Sequence, residues 1–472
     1  MPGNNAVKAL AVTAILAWPA YARAQVPPPA APPPPRASAA PAQPAPPAPA
    51  APVPQPPPAG TPAPVVPDKQ LSLEQAIHLA MTNNERAQKA PLRVETAEGQ
   101  LDRARTAFYP SLTAGGAGTW NSVTDKSGRA ITTNGTVTLT QPLLNPSAFP
   151  LYAQARHQRD SERWGATEDI RVLAFDTARA FLQVLTAGRV LEAASKRLDK
   201  AKANLHDAEA RAQAQLASTN DATRAQAELT TSMGEVAKAQ GTVAKAYTQL
   251  SFLVGKKIEG DLAEPGRTTA AAEAFEGSAQ NQVMGAIDRR PDVKSSAERT
   301  LALKLSAQEP LYRLIPSLSL QGQMRLIPDP LATEKATDET ITLSLTWNIF
   351  DQGARYADRR TRLAQSESQQ LDEKQLRRSV ATDVELAIIA LRTAREAYRI
   401  AGEAVATAQK LVEEEEILYR QGLARALEVT TANSARFDAE VSQASAKLSM
   451  EQAYLDLRFA LGLAPTDESS PQ

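Results

Sequence analysis

Few side chains in this sequence are spaced to do chemistry. No Gly-rich phosphate loop, nucleophile elbow or pair of carboxylates in an evident cleft can be read from it, so neither a catalytic site nor a cofactor is expected. Cysteine is absent, which excludes disulfides, thiolate metal sites and a lipid-modified amino-terminal Cys. The three histidines, His78, His157 and His206, stand at no metal-ligand spacing from one another and read as solvated helix positions, so no metal site is expected. What remains are two acids that follow turns, Asp221 near Arg224 and Glu428 near Arg425. An acid in the first turn of a helix is stabilised there by the dipole and the free N–H groups, whatever the protein does. The acidic run Glu413 to Glu416 reads as a solvated helix face.

The elements that carry these turns are very long. Val380, Val384, Ala387, Leu391, Ala394, Tyr398, Ala401, Val405, Ala408 and Val412 form a heptad stripe on one helical face. Four of the ten are Ala, which lets neighbouring helices approach closely. The same stripe occurs at Val184, Ala187, Leu191, Ala194, Leu198, Ala201, Leu205, Ala208 and Ala212. Leu391, Val405 and Val412 each lie 207 residues after Val184, Leu198 and Leu205. The chain therefore reads as a duplication built around a very long helix. Each long helix is followed by a turn and a returning helix.

Composition narrows the class. Of 472 residues, 52 are basic and 52 acidic, so no general attraction to nucleic acid is indicated. Met1 to Ala24 reads as a signal peptide: Lys8 is followed by a mostly apolar run, and Ala22-Arg23-Ala24 is a cleavage site. The other reading, a membrane anchor, needs a longer apolar run of about 20 residues. Residues 25–68 are a proline-rich spacer that cannot form a core and tends to polyproline extension. A first repeat spans 69–255, a connector 256–282, a second repeat 283–463 and a tail 464–472.

Between the helices the texture changes to strands, at about 111–124 and 130–144 in the first repeat and 317–327 and 340–350 in the second. In the second pair, Leu318, Leu320 and Leu326 share one face with Ile341, Leu343, Leu345, Trp347 and Ile349, while Ser, Thr, Gln and Asn occupy the other. Alternation over about ten residues fits a membrane-crossing strand with its apolar side to lipid. An amphipathic hairpin on a soluble core is the other reading. Four strands cannot close a barrel in lipid without unpaired edges, so several copies must contribute strands.

Four local motifs stand out: Leu71-Ser72-Leu73-Glu74-Gln75-Ala76-Ile77, Gln141-Pro142-Leu143-Leu144, Arg290-Pro291-Asp292-Val293 and Trp347-Asn348-Ile349-Phe350-Asp351-Gln352-Gly353. Their order and spacing resemble the TolC-type outer membrane efflux proteins. The resemblance covers Leu71 to Leu463. It implies a mainly helical homotrimer with a twelve-stranded β-barrel in the outer membrane, continuous with a helical tunnel across the periplasm. It also implies a periplasmic adaptor protein and an inner-membrane pump as partners. Tyr419 to Val429 resembles the family's tip motif, in which acids at the start of the return helix ring a closed entrance. Glu428 and, one repeat earlier, Asp221 fall on that position, with Arg425 and Arg224 as ionic partners. Thr431 stands where a second acid is often found, and Gln215 where the family has Gly. The tip turns at about 216–221 and 422–428 carry the expected adaptor contacts Leu216, Asn220, Gly422, Leu423 and Ala426. The competing reading is an exported coiled-coil structural or adhesive protein without a pore.

Overall fold

A computed structural model describes residues 70–120, 122, 130–215, 218–275, 279–328 and 335–466. The signal peptide, the whole of the spacer, residues 216–217 (Leu216 among them) and residues 467–472 lie outside them. A capping box opens the first helix, α1 (Leu73–Asn83): Ser72 Oγ accepts the Gln75 N–H, and Gln75 Oε1 accepts the Ser72 N–H, each at 3.2 Å. Helix α2 (Glu85–Arg105) follows and leads into strands β1 (Ser111–Trp120) and β2 (Ile131–Leu144). The long helix α3 (Ala148–Gln213) and its return α4 (Thr219–Val254) complete the first repeat. Residues 256–282, read as a connector, contain α5 (Gly266–Ala274) and the start of α6 (Ala279–Arg289). The second repeat has α7 (Pro291–Ser306), the short α8 (Glu309–Tyr312), β3 (Ser317–Leu326), β4 (Thr337–Thr346), the long α9 (Ala354–Arg420) and its return α10 (Ala426–Ala460).

At 66 and 67 residues, α3 and α9 are each about 100 Å long. Their buried stripes are what hold them. On α3, Val184, Ala187, Ala194, Ala201 and Ala208 are buried; on the facing α4, Ala225, Ser232, Ala239 and Ala246 are. The heptad interval of small residues on both helices permits close packing along the pair. Leu198 and Leu205 are only half-buried, and Arg197 takes the buried place beside them. Larger side chains gather at mid-length. Phe175, Phe181 and Leu182 of α3 pack with Leu73, Ile77, Leu250 and Val254, and Val380, Val384, Ile388 and Leu391 of α9 pack with Met450 and Leu457. Losing either phenylalanine ring to Ala would cost about 3–5 kcal/mol. Ala272 and Ala286, from α5 and α6, are fully buried in the second cluster. Sequence reading missed these helices because each is too short to establish a period.

The returns stop half-way, and the pre-strand helices take over. Helix α4 ends at Gly255, φ 73°, where a Cβ would meet the Asn83 backbone at 3.0 Å. Buried Asn84 fills the junction. Its Oδ1 accepts the Arg86 N–H at 2.8 Å and caps α2, while Nδ2 donates to Leu253 O at 2.8 Å and satisfies the last turn of α4. One repeat later, Gly462 (φ 72°) abuts Arg290, with a Cβ position 3.1 Å from the Arg290 backbone nitrogen. Arg289 Nε donates to Leu461 O at 3.1 Å there.

The four strands form one antiparallel sheet in the order β1-β2-β3-β4. The two repeats meet at β2 and β3, with Gly135 opposite Leu326 and Val137 opposite Met324. Strand β4 ends at Thr346, opposite Ser317, the first residue of β3. Trp347 and Ile349 therefore lie beyond the strand rather than in it, because β3 offers no further partner. The Trp347 indole instead donates to Leu314 O at 3.0 Å. Among the described residues, no helix is long and apolar enough to cross a membrane.

Candidate functional site

Two regions carry the candidate residues: the turns at the far end of the long helices, and the sheet. At the first turn, Gln215 has a left-handed backbone, φ 61°, and bonds back to Ala212 O at 3.0 Å. Ser218 then caps α4 by accepting the Asn220 N–H at 3.2 Å, so Asn220 and Asp221 sit in the first helical turn. At the second, Gly422 takes the left-handed corner (φ 78°) and the Leu423 N–H reaches Leu418 O at 2.9 Å. Arg425 precedes α10, and Glu428 Oε2 accepts its backbone N–H at 2.8 Å. Within the chain, the link between these two residues is thus carboxylate to amide. Asp221, Arg224 and Ala426 line a common groove of about 310 Å³ between the turns, together with Tyr419 and Leu427. Gly422 and Leu423 are not part of its lining, and Leu423 is largely exposed.

Several residues that tie the two hairpins together were not singled out in the sequence. The Arg211 guanidinium lies 4.2 Å from the Tyr419 ring centroid and donates to Tyr419 O at 3.3 Å. Lys200 Nζ meets Glu416 Oε1 at 2.8 Å, so the acidic run is not a uniformly solvated face: Glu416 is half-buried and paired. Arg197 is buried, with Nε 2.9 Å from Glu228, Nη1 2.9 Å from Glu235 and Nη2 3.1 Å from Ser434 Oγ. One side chain of α3 thereby holds α4 and α10. Nothing in the sequence pattern marks it, because it lies one residue off the stripe, beside Leu198.

His157 also departs from its sequence reading. It is half-buried, and its Nδ1 lies 2.7 Å from Glu298 Oε2. A search for spacing among histidines could not find a carboxylate brought in by another helix.

In the sheet, directly opposed residues share a face, and the pairing sorts the chain's chemistry. Leu112, Leu139, Leu320 and Leu343 lie on one face with Leu318, Leu345 and Ile341; Thr113, Thr138, Gln323 and Thr340 lie on the other. On the apolar face Leu112 is 70 % exposed, Ile341 82 % and Leu345 65 %. Among the described residues, strands β1 and β4 each have an unpaired edge. An apolar face and two open edges in water invite further pairing.

The model of the outer membrane efflux protein family matches residues 76–256 and 284–463. The chain belongs to that family. Comparison with curated proteins gave no match. Solved structures share the fold at low identity. A membrane protein from Pseudomonas aeruginosa is 20% identical, with TM-score 0.73 over 83% of this chain and 92% of that one. The Campylobacter jejuni CmeC outer membrane channel is 16% identical, with TM-score 0.71 over 83% and 85%. The Neisseria gonorrhoeae MtrE outer membrane channel, solved in an open state, is 19% identical, with TM-score 0.69 over 83% and 89%.

Proposed function

We propose that this chain is one of three that build a passive export duct through the outer membrane and periplasm. The observation that supports it most is the sheet, which has one face carrying most of its leucine and isoleucine side chains and, among the described residues, an unpaired strand at each edge. In lipid, every backbone group must be paired, and a closed barrel is the β arrangement that achieves this. Joining β4 of one copy to β1 of the next closes twelve strands, with Leu318, Leu320, Leu326, Ile341, Leu343 and Leu345 toward lipid and the threonine-rich face toward a lumen. Trp347 and Ile349 then sit at the rim, where an indole with one bonded N–H is at home. A pore-free coiled-coil protein would have no use for such a sheet.

The long helices extend the duct into the periplasm. Their tips meet a periplasmic adaptor, through exposed Leu423 and the turn residues around Gly422 and Asn220, and an inner-membrane pump supplies the energy. The system is a tripartite efflux or type I secretion assembly. No reaction is catalysed. The chain reaches the periplasm by way of a cleaved signal peptide.

The tip is the gate. Symmetry gathers Glu428 and Asp221 of the copies round the axis into a cation-attracting constriction, with Arg425 and Arg224 beside them. Opening is a two-state, iris-like movement biased by the partner. Single-channel recording in planar bilayers tests this. Glu428→Ala should lower cation selectivity and block by divalent cations; unchanged selectivity and block would count against the gate.

A further inference from the structure

One cluster has no part in the efflux reading. His157 and Asp160 lie three residues apart near the sheet-proximal end of α3, hence on one side of the helix. Glu298 approaches from α7. One ligand atom from each of the three falls within 4.8 Å of the other two, and their side chains are each between 27% and 29% exposed. Donor atoms bound tetrahedrally to one zinc-sized ion stand about 3.4 Å apart, so small rotations would suffice to bring these three round a common centre.

The frame is fixed and the site is open on one side. Ser161 Oγ donates to Ser295 O at 2.9 Å, and Ser295 Oγ donates to Ser161 O at 2.8 Å. This reciprocal pair locks α3 to α7 next to the cluster. Asp160 and Glu298 border a cavity of about 940 Å³, which gives water access to the remaining coordination positions. Within the cluster one cation is already paired: Arg159 Nη2 lies 2.6 Å from Asp160 Oδ1. Lys294 instead lies over the Trp164 ring, 4.5 Å from its centroid. Arg163, Arg171 and Arg289 line the same cavity, so the ion must hold its two carboxylates in the presence of further guanidinium groups.

We propose that His157, Asp160 and Glu298 form a site for one divalent transition-metal ion per chain, which staples α7 to α3 below the sheet. One imidazole and two carboxylates are donors suited to zinc, manganese or cobalt rather than to a soft monovalent ion. The purified full chain, in detergent and without a histidine tag, is titrated with Co²⁺ alone. The site gives a visible d–d band that saturates at one ion per chain and is displaced by Zn²⁺. In His157→Ala and Glu298→Gln, with helix content and assembly unchanged, the band is lost. A wild-type spectrum equal to that of free aqueous Co²⁺ overturns the proposal, and this reading needs no variant to fold. A band retained in both variants also overturns it, since His78 or His206 would then be the source.

Discussion

Gln215 and Gly422 occupy the same left-handed corner one repeat apart, with φ 61° and 78°, at the ends of α3 and α9. The geometry of the turn demands positive φ at both places, but only one repeat supplies the residue that adopts it without a Cβ penalty. Gln215→Gly should therefore stabilise the first tip by about 1 kcal/mol, and Gly422→Ala should destabilise the second by about the same. Hydrogen exchange at the amides flanking each turn reads this directly: protection rises in the first variant and falls in the second. Equal exchange in Gln215→Gly and the parent would show that the turn carries no such strain.

The Arg211–Tyr419 contact spans the two hairpins at the tip, and the Lys200–Glu416 pair spans them a little further back. A cation–π contact of this kind contributes about 1 kcal/mol, which changes a closed-to-open ratio roughly fivefold in each copy. Tyr419→Ala and Arg211→Ala should each raise the open probability in planar bilayers. The double variant should open no more than the larger single effect, because both remove one interaction. Additive effects would show that the two side chains act separately.

Glu451 of α10 is buried and accepts the Thr269 hydroxyl at 2.6 Å. Burial raises its pKa, and nearby Glu264 adds to this, while Thr269 and Lys447 oppose it. Between the ordinary glutamate value and the raised one, the folded state binds more protons than the unfolded state. Stability therefore falls as pH rises through that window and stays lower above it. Glu451→Gln keeps the acceptor for Thr269 and removes the charge. Its melting temperature should exceed the parent's at neutral pH, and the two should converge below the ordinary glutamate range. A variant less stable than the parent at neutral pH would show that ionised Glu451 is held favourably.

Regular repetition was the part of the fold most legible in sequence. The Val380–Val412 stripe and its copy 207 residues earlier mark α9 and α3, because a heptad sustained over about thirty residues and then repeated in register does not arise from local accident. The alternation in Ile341–Leu345 marks β4 for the same reason. Its end was less visible: the pattern runs on through Trp347 and Ile349, but a strand stops where its neighbour does. Short α5 and α6 hold their places by tertiary burial of Ala272 and Ala286, which leaves no periodic trace. The tip was legible through its turn residues, whereas its cross-links were not. Arg197, Arg211 and Lys200 look like any solvated helix cation until the facing helix is present.

The absence of cysteine makes the sheet edges directly testable. Within one chain, β1 and β4 are separated by two strands, so their backbones stand about 14 Å apart, twice the reach of a disulfide, which closes only below about 7 Å between Cα atoms. A bond between them must join two copies. Thr113→Cys on β1 is paired in turn with Thr340→Cys, Thr342→Cys and Ser344→Cys on β4, all on the polar face. Outer membranes are then oxidised and resolved on non-reducing gels. A shared barrel predicts covalent dimers and trimers for at least one pairing, with no larger species, collapsing to monomer on reduction. Monomer alone for all three pairings would contradict the claim that neighbouring copies close the wall.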